Sequence, residues 1–173
     1  MAKISYPRNL ISILVACAVF CWPLAPVMAA DFPLADKILV EKGKRKLHLL
    51  LDGVKFRSYD IALGVVPVGD KDREGDQKTP EGTYRMDKRN PDSDYFLSIH
   101  ISYPNKLERQ EARQSGVNPG GQIMIHGQPN SPNYSAAYYR KEDWTNGCIA
   151  VSNSDMIDIW LMTPNNVPIE ILP

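Results

Sequence analysis

A β-hairpin early in the sequence limits the folds that this chain can adopt. Apolar and polar side chains alternate along Lys46–Leu51, which is the period of a half-buried strand. Asp52-Gly53 follows as a two-residue turn signal, and Val54–Leu63 supplies the return strand. The three segments predict an antiparallel strand pair and therefore a β-containing fold.

Further short apolar segments extend this β pattern through the rest of the chain. Loops are expected over residues 67–82 and 128–144, and Ser152 or Asn153 can cap a helix. Pro168 favours an edge strand, because proline has no N–H for the ladder. The pattern predicts a mostly β domain with short helices: strands over Lys37–Glu41, Thr83–Met86, Phe96–Tyr103, Gln122–His126 and Val167–Leu172, and helices over Lys106–Gln114 and Ser154–Met162.

The N-terminus has the features of an export signal. Lys3 and Arg8 precede an apolar run over Leu10–Trp22, which is too short to span a bilayer. Ala29-Ala30 offers small residues at a cleavage site. We therefore predict a signal peptide over residues 1–30, a domain over residues 31–173, and no stable membrane insertion after cleavage. An uncleaved anchor and a lipoprotein attached at Cys17 are less favoured alternatives.

Signal cleavage changes the cysteine count. The full chain has 3 cysteines, and removal of residues 1–30 takes away Cys17 and Cys21. Cys148 then has no partner for an internal disulfide. Because export leads to an oxidising compartment, a lone thiol is a liability there unless it is buried or used.

His126 and Cys148 carry the chemistry that the sequence suggests. A thiol is a weak nucleophile until it ionises, so it needs a nearby base or dipole. Gly147 directly precedes the thiol, and the backbone N–H groups of Asn146, Gly147 and Cys148 can face a developing oxyanion. His126 lies at the exit of a predicted strand. The two residues would form an acyl-transfer pair, while an inert buried cysteine beside a hydrogen-bonded histidine stays an open alternative.

The same residues carry a resemblance to a known family. Ile125-His126-Gly127, followed by Thr145-Asn146-Gly147-Cys148-Ile149, resembles the signature of the L,D-transpeptidase catalytic domain, the YkuD family. Thr79-Pro80-Glu81-Gly82 is similar to the Thr-Pro-x-Gly segment of that family. The resemblance covers roughly residues 36–172. It implies two packed mixed β-sheets with the active site in a cleft at one edge, and it implies a periplasmic location.

The resemblance also implies roles for individual residues. Cys148 would be the nucleophile, His126 the general base and acid, and the carbonyl of Gly127 the group that orients the imidazole. The implied reaction is acyl transfer on peptidoglycan stem peptides through a cysteine thioester, without a metal or organic cofactor. Asn146 stands where the family usually has His, and Ala150 where it usually has Arg or Asn. These departures leave the acyl acceptor open more than the Cys/His chemistry.

Other residues are weaker candidates for substrate contact. His100, Tyr103 and Trp144 are candidate substrate-binding residues. Tyr103 and Trp144, together with Tyr138 and Tyr139, could form a lid or a platform for the glycopeptide. A zinc site from His100, His126 and Cys148 is disfavoured, since the chain has no closely spaced ligand pair.

Two polar features are interpreted as solvated. His48 lies in a basic hairpin, and residues Lys71–Lys78 alternate in charge sign. The 20 basic and 20 acidic residues of the chain cancel, which argues against nucleic acid or an anionic membrane surface as the main partner. Peptidoglycan stem peptides are the expected partner, and a monomer is the expected state.

Three functions remain after these arguments. The first is L,D-transpeptidation, and the second resolves the same thioester with water, as an L,D-carboxypeptidase or a hydrolase that releases wall-linked peptide or protein. The third is a non-catalytic cell-wall-binding module. The sequence does not separate transfer from hydrolysis, because both share the acylation step at Cys148.

Overall fold

The computed structural model describes residues 32–173, and the predicted signal peptide lies outside the described residues. None of the helices within residues 32–173 has the length and apolar character needed to cross a bilayer. The elements are eight strands, β1 (Lys37–Glu41), β2 (Lys46–Leu51), β3 (Val54–Asp60), β4 (Gly82–Ser93), β5 (Phe96–Ile101), β6 (Met124–His126), β7 (Ile149–Ala150) and β8 (Pro168–Leu172), three α-helices, α1 (Lys106–Gln114), α2 (Ala136–Lys141) and α3 (Asn153–Met162), and one 3₁₀ turn (Lys42–Lys44).

The strands form one hydrogen-bonded order, β3-β2-β1-β8-β4-β5-β6-β7. The pairs β1–β8 and β6–β7 are parallel and the other pairs are antiparallel, so the sheet is mixed. The long strand β4 pairs with β8 near its start and with β5 further along. The prediction of a mostly β domain with short helices is confirmed. The two expected sheets are two halves of one strand order, and β4 belongs to both.

The two halves share one hydrophobic core. Ile38 and Leu47 come from the first half, and Ile99 and Ile125 from the second; all four are buried in the same cluster. A bridge between Ala62 and Ala150 links the segment after β3 to β7, the strand at the opposite end of the order. The site at the β6–β7 end is therefore tied back to the β2–β3 hairpin.

The helix α3 closes the core on one side. The Ser152 side chain accepts a hydrogen bond from the Asp155 N–H and so caps the helix. The helix buries Met156, Ile159 and Met162, which follow helical spacing. Trp160, on the same helix, is only partly buried against the core, and the Arg89 guanidinium lies 4.7 Å from the centroid of its ring.

Pro168 and His48 are not placed as the sequence predicted. Pro168 does not mark an edge, because β8 lies between β1 and β4 in the interior of the sheet. Pro168 is the first residue of that strand, a place where a missing N–H is tolerated. His48 is not solvated either: it is buried, with Nδ1 2.7 Å from the Ser58 hydroxyl and Nε2 2.8 Å from the Glu41 carboxylate.

Candidate active site

The parallel pair β6–β7 brings His126 and Cys148 to one face of the sheet. Ile125 is opposite Ile149 and His126 is opposite Ala150, so Cys148 stands level with Met124. Side chains alternate along a strand, which places His126 and Cys148 on the same side. Both line a cavity of about 230 Å³, the cysteine cavity, with Ser93, Tyr95, Gln122, Met124, Trp144, Thr145 and Asn146.

The His126 imidazole is held in one tautomer. Its Nδ1 lies 2.7 Å from the carbonyl oxygen of Gly127. Because a carbonyl can only accept, Nδ1 carries the proton and Nε2 is left with the basic lone pair. Burial lowers the pKa of His126 to about 4, with a smaller opposing effect from this hydrogen bond. The imidazole is therefore neutral, and able to accept a proton, at pH 6 to 8.

Gly127 is fixed by its surroundings. A Cβ at this position would lie 2.6 Å from Oδ1 of Asn153 and 3.0 Å from Cβ of Phe96, so only glycine fits. The same Asn153 oxygen accepts a hydrogen bond from the Gln128 N–H at 2.7 Å. These contacts hold the backbone that presents the Gly127 carbonyl to His126.

The Cys148 thiol is neutral in the resting protein. Its Sγ lies 3.5 Å from the carbonyl oxygen of Gln122. Burial raises the pKa of Cys148 above its ordinary value of 9.0, and a backbone hydrogen bond from Met124 and the charge of Lys71 only partly offset this. A neutral thiol and a neutral imidazole do not form a standing ion pair. Proton transfer then has to accompany nucleophilic attack, which is general-base chemistry.

The turn before Cys148 is organised by Thr145. The Thr145 hydroxyl donates to the Cys148 carbonyl at 2.8 Å and accepts the Gly147 N–H at 3.1 Å. The Gly147 N–H is thus committed to this turn and does not face the cavity as an oxyanion donor, contrary to expectation. Asn146 is exposed and lines the cavity. For Asn146 and the Cys148 N–H, the oxyanion role stays a prediction.

Two aromatic rings flank the imidazole. The Tyr95 ring centroid lies 4.6 Å from that of His126, and the Trp144 centroid lies 5.6 Å from it. Trp144 was a candidate from the sequence, and it does line the cysteine cavity. Tyr95 was missed, because it stands alone in the β4–β5 turn with no motif around it. Its position depends on the β5–β6 pairing, which is a long-range contact.

His100 and Tyr103 lie outside the cysteine cavity. His100 faces Met124 across β5–β6, but its Nδ1 is 2.6 Å from the Asp87 carboxylate. Tyr103 is buried, and its hydroxyl donates to the Pro119 carbonyl at 3.0 Å. The structure therefore does not bring either residue to Cys148.

A second cavity, of about 430 Å³, also reaches Cys148. Lys71 lines it, and the Lys71 ammonium bonds the Asp76 carboxylate at 2.6 Å and the Arg73 carbonyl at 3.1 Å. The Lys71 side chain is only 3% exposed, so the interpretation of this charged segment as a solvated loop is wrong at this residue. Lys71 is the basic group whose charge acts on the Cys148 thiol.

Lys42 anchors both ends of the loop that carries Lys71. The buried Lys42 ammonium donates to the carbonyls of Gly69 and Thr79 at 2.7 and 2.9 Å and to the Glu81 carboxylate at 2.7 Å. All three donors of the ammonium are thus used, which compensates its burial. No cluster of three His, Cys, Asp or Glu side chains within residues 32–173 is arranged to hold a metal ion.

A mixed β-sheet that presents a histidine and a cysteine in one cavity is the arrangement of the L,D-transpeptidase class, and comparisons with known proteins agree. The model of the L,D-transpeptidase catalytic domain (YkuD) family matches residues 35–171. The chain belongs to this family. The family acts on peptidoglycan stem peptides.

Individual relatives match over shorter stretches. The Escherichia coli K12 protein named "Putative L,D-transpeptidase YafK" is 38% identical over 92 residues, which is 52% of this chain and 32% of that protein. The crystal structure of the helical cell shape determining protein Pgp2 from Campylobacter jejuni has a TM-score of 0.61 and 29% identity, over 78% of this chain and 46% of Pgp2.

A second solved structure is similar to this chain over a comparable length. Bd1075 of Bdellovibrio bacteriovorus has a TM-score of 0.55 and 26% identity, over 80% of this chain and 48% of Bd1075. The chain therefore spans about half the length of these two structures and 32% of the curated relative. The remaining parts of those proteins lie outside the match.

Proposed function

We propose that this protein is a cysteine-dependent acyltransferase, with Cys148 as the nucleophile and His126 as the general base. The observation that carries the proposal is the placement of both side chains on one wall of the cysteine cavity. The Gly127 carbonyl holds the imidazole so that Nε2 is free to take the thiol proton. An inert buried cysteine would not need an oriented, unprotonated base beside it.

The proposed reaction has two steps. The Cys148 sulfur attacks a carbonyl carbon of a peptidoglycan stem peptide while His126 Nε2 takes the thiol proton. His126 then returns that proton to the leaving amine, which departs as the terminal amino acid, and a thioester remains. An acceptor amine attacks the thioester, His126 takes its proton, and the thiolate recovers it as the new amide is released.

We further propose that the protein works in the periplasm after cleavage of the segment over residues 1–30. If water attacks the thioester in place of an amine, the protein is a hydrolase with the same first step. A non-catalytic wall-binding role is less well supported, because the cavity holds both reacting groups in a usable arrangement.

The acylation step is tested with a carbapenem, a class that acylates the cysteine of this family. We expect a covalent adduct on Cys148 by intact-mass and peptide mass spectrometry, absent in Cys148→Ala and formed at least 100-fold more slowly in His126→Ala. His100→Ala is the matched control, since His100 lies outside the cavity, and it should react at the wild-type rate. A folded wild-type protein that forms no adduct would refute an activated thiol.

The acceptor is tested with purified disaccharide-tetrapeptides. Cross-linked dimers would identify transfer, and shortened monomers without dimers would identify hydrolysis. Turnover that persists in Cys148→Ala would contradict both forms of the proposal.

A further inference from the structure

A third cavity, larger than the two described above, adjoins the cysteine cavity. This aromatic basin, of about 600 Å³, is lined by five aromatic rings, those of Tyr95, Tyr134, Tyr138, Tyr139 and Trp144. Tyr95 and Trp144 line both cavities, so the basin and the cysteine cavity share a wall. Its volume falls in the range of ligand-binding sites.

The rings of the basin form a continuous series that leads away from His126. The Trp144 centroid lies 5.0 Å from that of Tyr139, which in turn lies 5.6 Å from that of Tyr138. Tyr138 and Tyr134 stack at 4.3 Å. Tyr139 is buried and supports the others, whereas Tyr134 is 60% exposed and Tyr95 is 41% exposed.

The polar groups of the basin identify the class of ligand. Asp94, Ser131 and Asn133 also line it, so hydrogen-bonding groups stand between the ring faces. Sugar rings offer C–H faces that stack on aromatic rings, with hydroxyl and amide groups at their edges. Asp94 is the only charged residue in the lining, and it is acidic, which disfavours phosphate-bearing polymers.

We propose that the aromatic basin binds an N-acetylated amino sugar of the glycan strand while the attached stem peptide reaches Cys148. This inference rests on the proposed function, which supplies the stem peptide. Three extended residues span about 10 Å. The steps of 5.6 and 5.0 Å from His126 to Trp144 to Tyr139 place the Tyr139 ring within about 11 Å of the imidazole, so a sugar that stacks between Trp144 and Tyr138 leaves the stem long enough to present its carbonyl to the thiol.

Binding is tested apart from turnover. The Cys148→Ala protein is titrated with the tetrasaccharide of N-acetylglucosamine, followed by amide NMR shifts and tryptophan fluorescence. We expect saturable binding, with shifts confined to the basin, and a Kd at least tenfold higher when Tyr134→Ala and Tyr138→Ala are added. Phe32→Ala is the control, since Phe32 is 47% exposed and lies outside the basin. Absent binding, or binding that the double variant leaves intact, would overturn the proposal.

Turnover gives a second readout. We expect kcat/KM for a disaccharide-tetrapeptide to exceed that for the free tetrapeptide about tenfold, and the ratio to fall to about one in the tyrosine double variant but not in Phe32→Ala. Equal turnover of the two substrates by the wild type would refute the basin. Sugar binding without turnover of either substrate would instead refute the proposed function and leave the basin supported.

Discussion

Replacement of Gly147 by alanine tests whether steric fit holds the turn that presents Cys148. The φ of Gly147 is +124°, far from the left-handed well near about +57° that other residues occasionally enter. A Cβ there would lie 2.6 Å from the Lys78 carbonyl oxygen, where ordinary contacts begin near 3.4 Å. The backbone or the loop that carries Lys78 would have to move.

The expected cost follows from these two effects. Backbone strain of this kind costs about 1–3 kcal/mol, and forced overpacking costs about 1–3 kcal/mol more. We expect Gly147→Ala to lower the free energy of unfolding by about 3–5 kcal/mol. Gly53→Ala is the matched control: its φ is +76° and nothing lies within 4 Å of the added Cβ, so it should cost about 1–2 kcal/mol.

Thermal unfolding followed by circular dichroism measures the difference. For a domain of this size each kcal/mol shifts Tm by about 2–4 °C, so Gly147→Ala should lower Tm by about 6–20 °C and Gly53→Ala by about 2–8 °C. Carbapenem acylation, measured where both variants are folded, should slow only in Gly147→Ala, because Cys148 is the next residue. Equal Tm shifts, or an unchanged acylation rate in Gly147→Ala, would refute the steric reasoning.

Three further predictions concern titration and buried charge. Since the pKa of His126 is about 4 in the fold and about 6.5 when unfolded, the unfolded chain gains the proton first as pH falls. Stability should drop by about 3 kcal/mol between pH 6.5 and 4, as measured by urea unfolding, and a folded His126→Gln should lack this drop. Iodoacetamide should alkylate Cys148 slowly at pH 7, with a rate that rises through pH 9; a plateau below pH 8 would contradict the raised thiol pKa. Lys42→Met leaves the Glu81 carboxylate without its ion-pair partner, so it should lower the free energy of unfolding by about 3–5 kcal/mol. Lys37→Met, which breaks the more exposed pair with Glu170, should lower it by less than about 1 kcal/mol. Equal losses in urea unfolding would contradict the anchoring role of Lys42.

Local patterns were enough to predict much of the fold. The strands Lys37–Glu41 and Lys46–Leu51 and the helix Lys106–Gln114 have the predicted bounds. The helix is bounded by local chemistry, since Asn105 and Glu108 form a capping box at its start. Periodicity and caps act over a few residues, so the sequence shows them directly.

The features that the sequence did not predict depend on contacts between distant segments of the chain. The position of β8 beside β1 and β4 is not visible around Pro168, and α2 lies inside a segment that reads as a loop. Tyr95 meets His126 only because β5 pairs with β6. Lys71 is buried because Asp76 folds the loop back onto it. A single charged or aromatic residue gives no local sign of such partners.

The raised pKa of Cys148 would protect this thiol in the oxidising compartment that we propose for the protein. A thiol with a pKa above 9.0 is less than about 1% ionised at pH 7, and only the thiolate reacts readily with oxidants. The burial that raises the thiol pKa also leaves the thiol unreactive without a base. In the reaction proposed above, His126 would supply that base when a carbonyl is present to receive the sulfur. The tautomer fixed by Gly127 therefore matters more than the thiol pKa: a change that frees Nδ1 should abolish acylation while the thiol stays as protected as before.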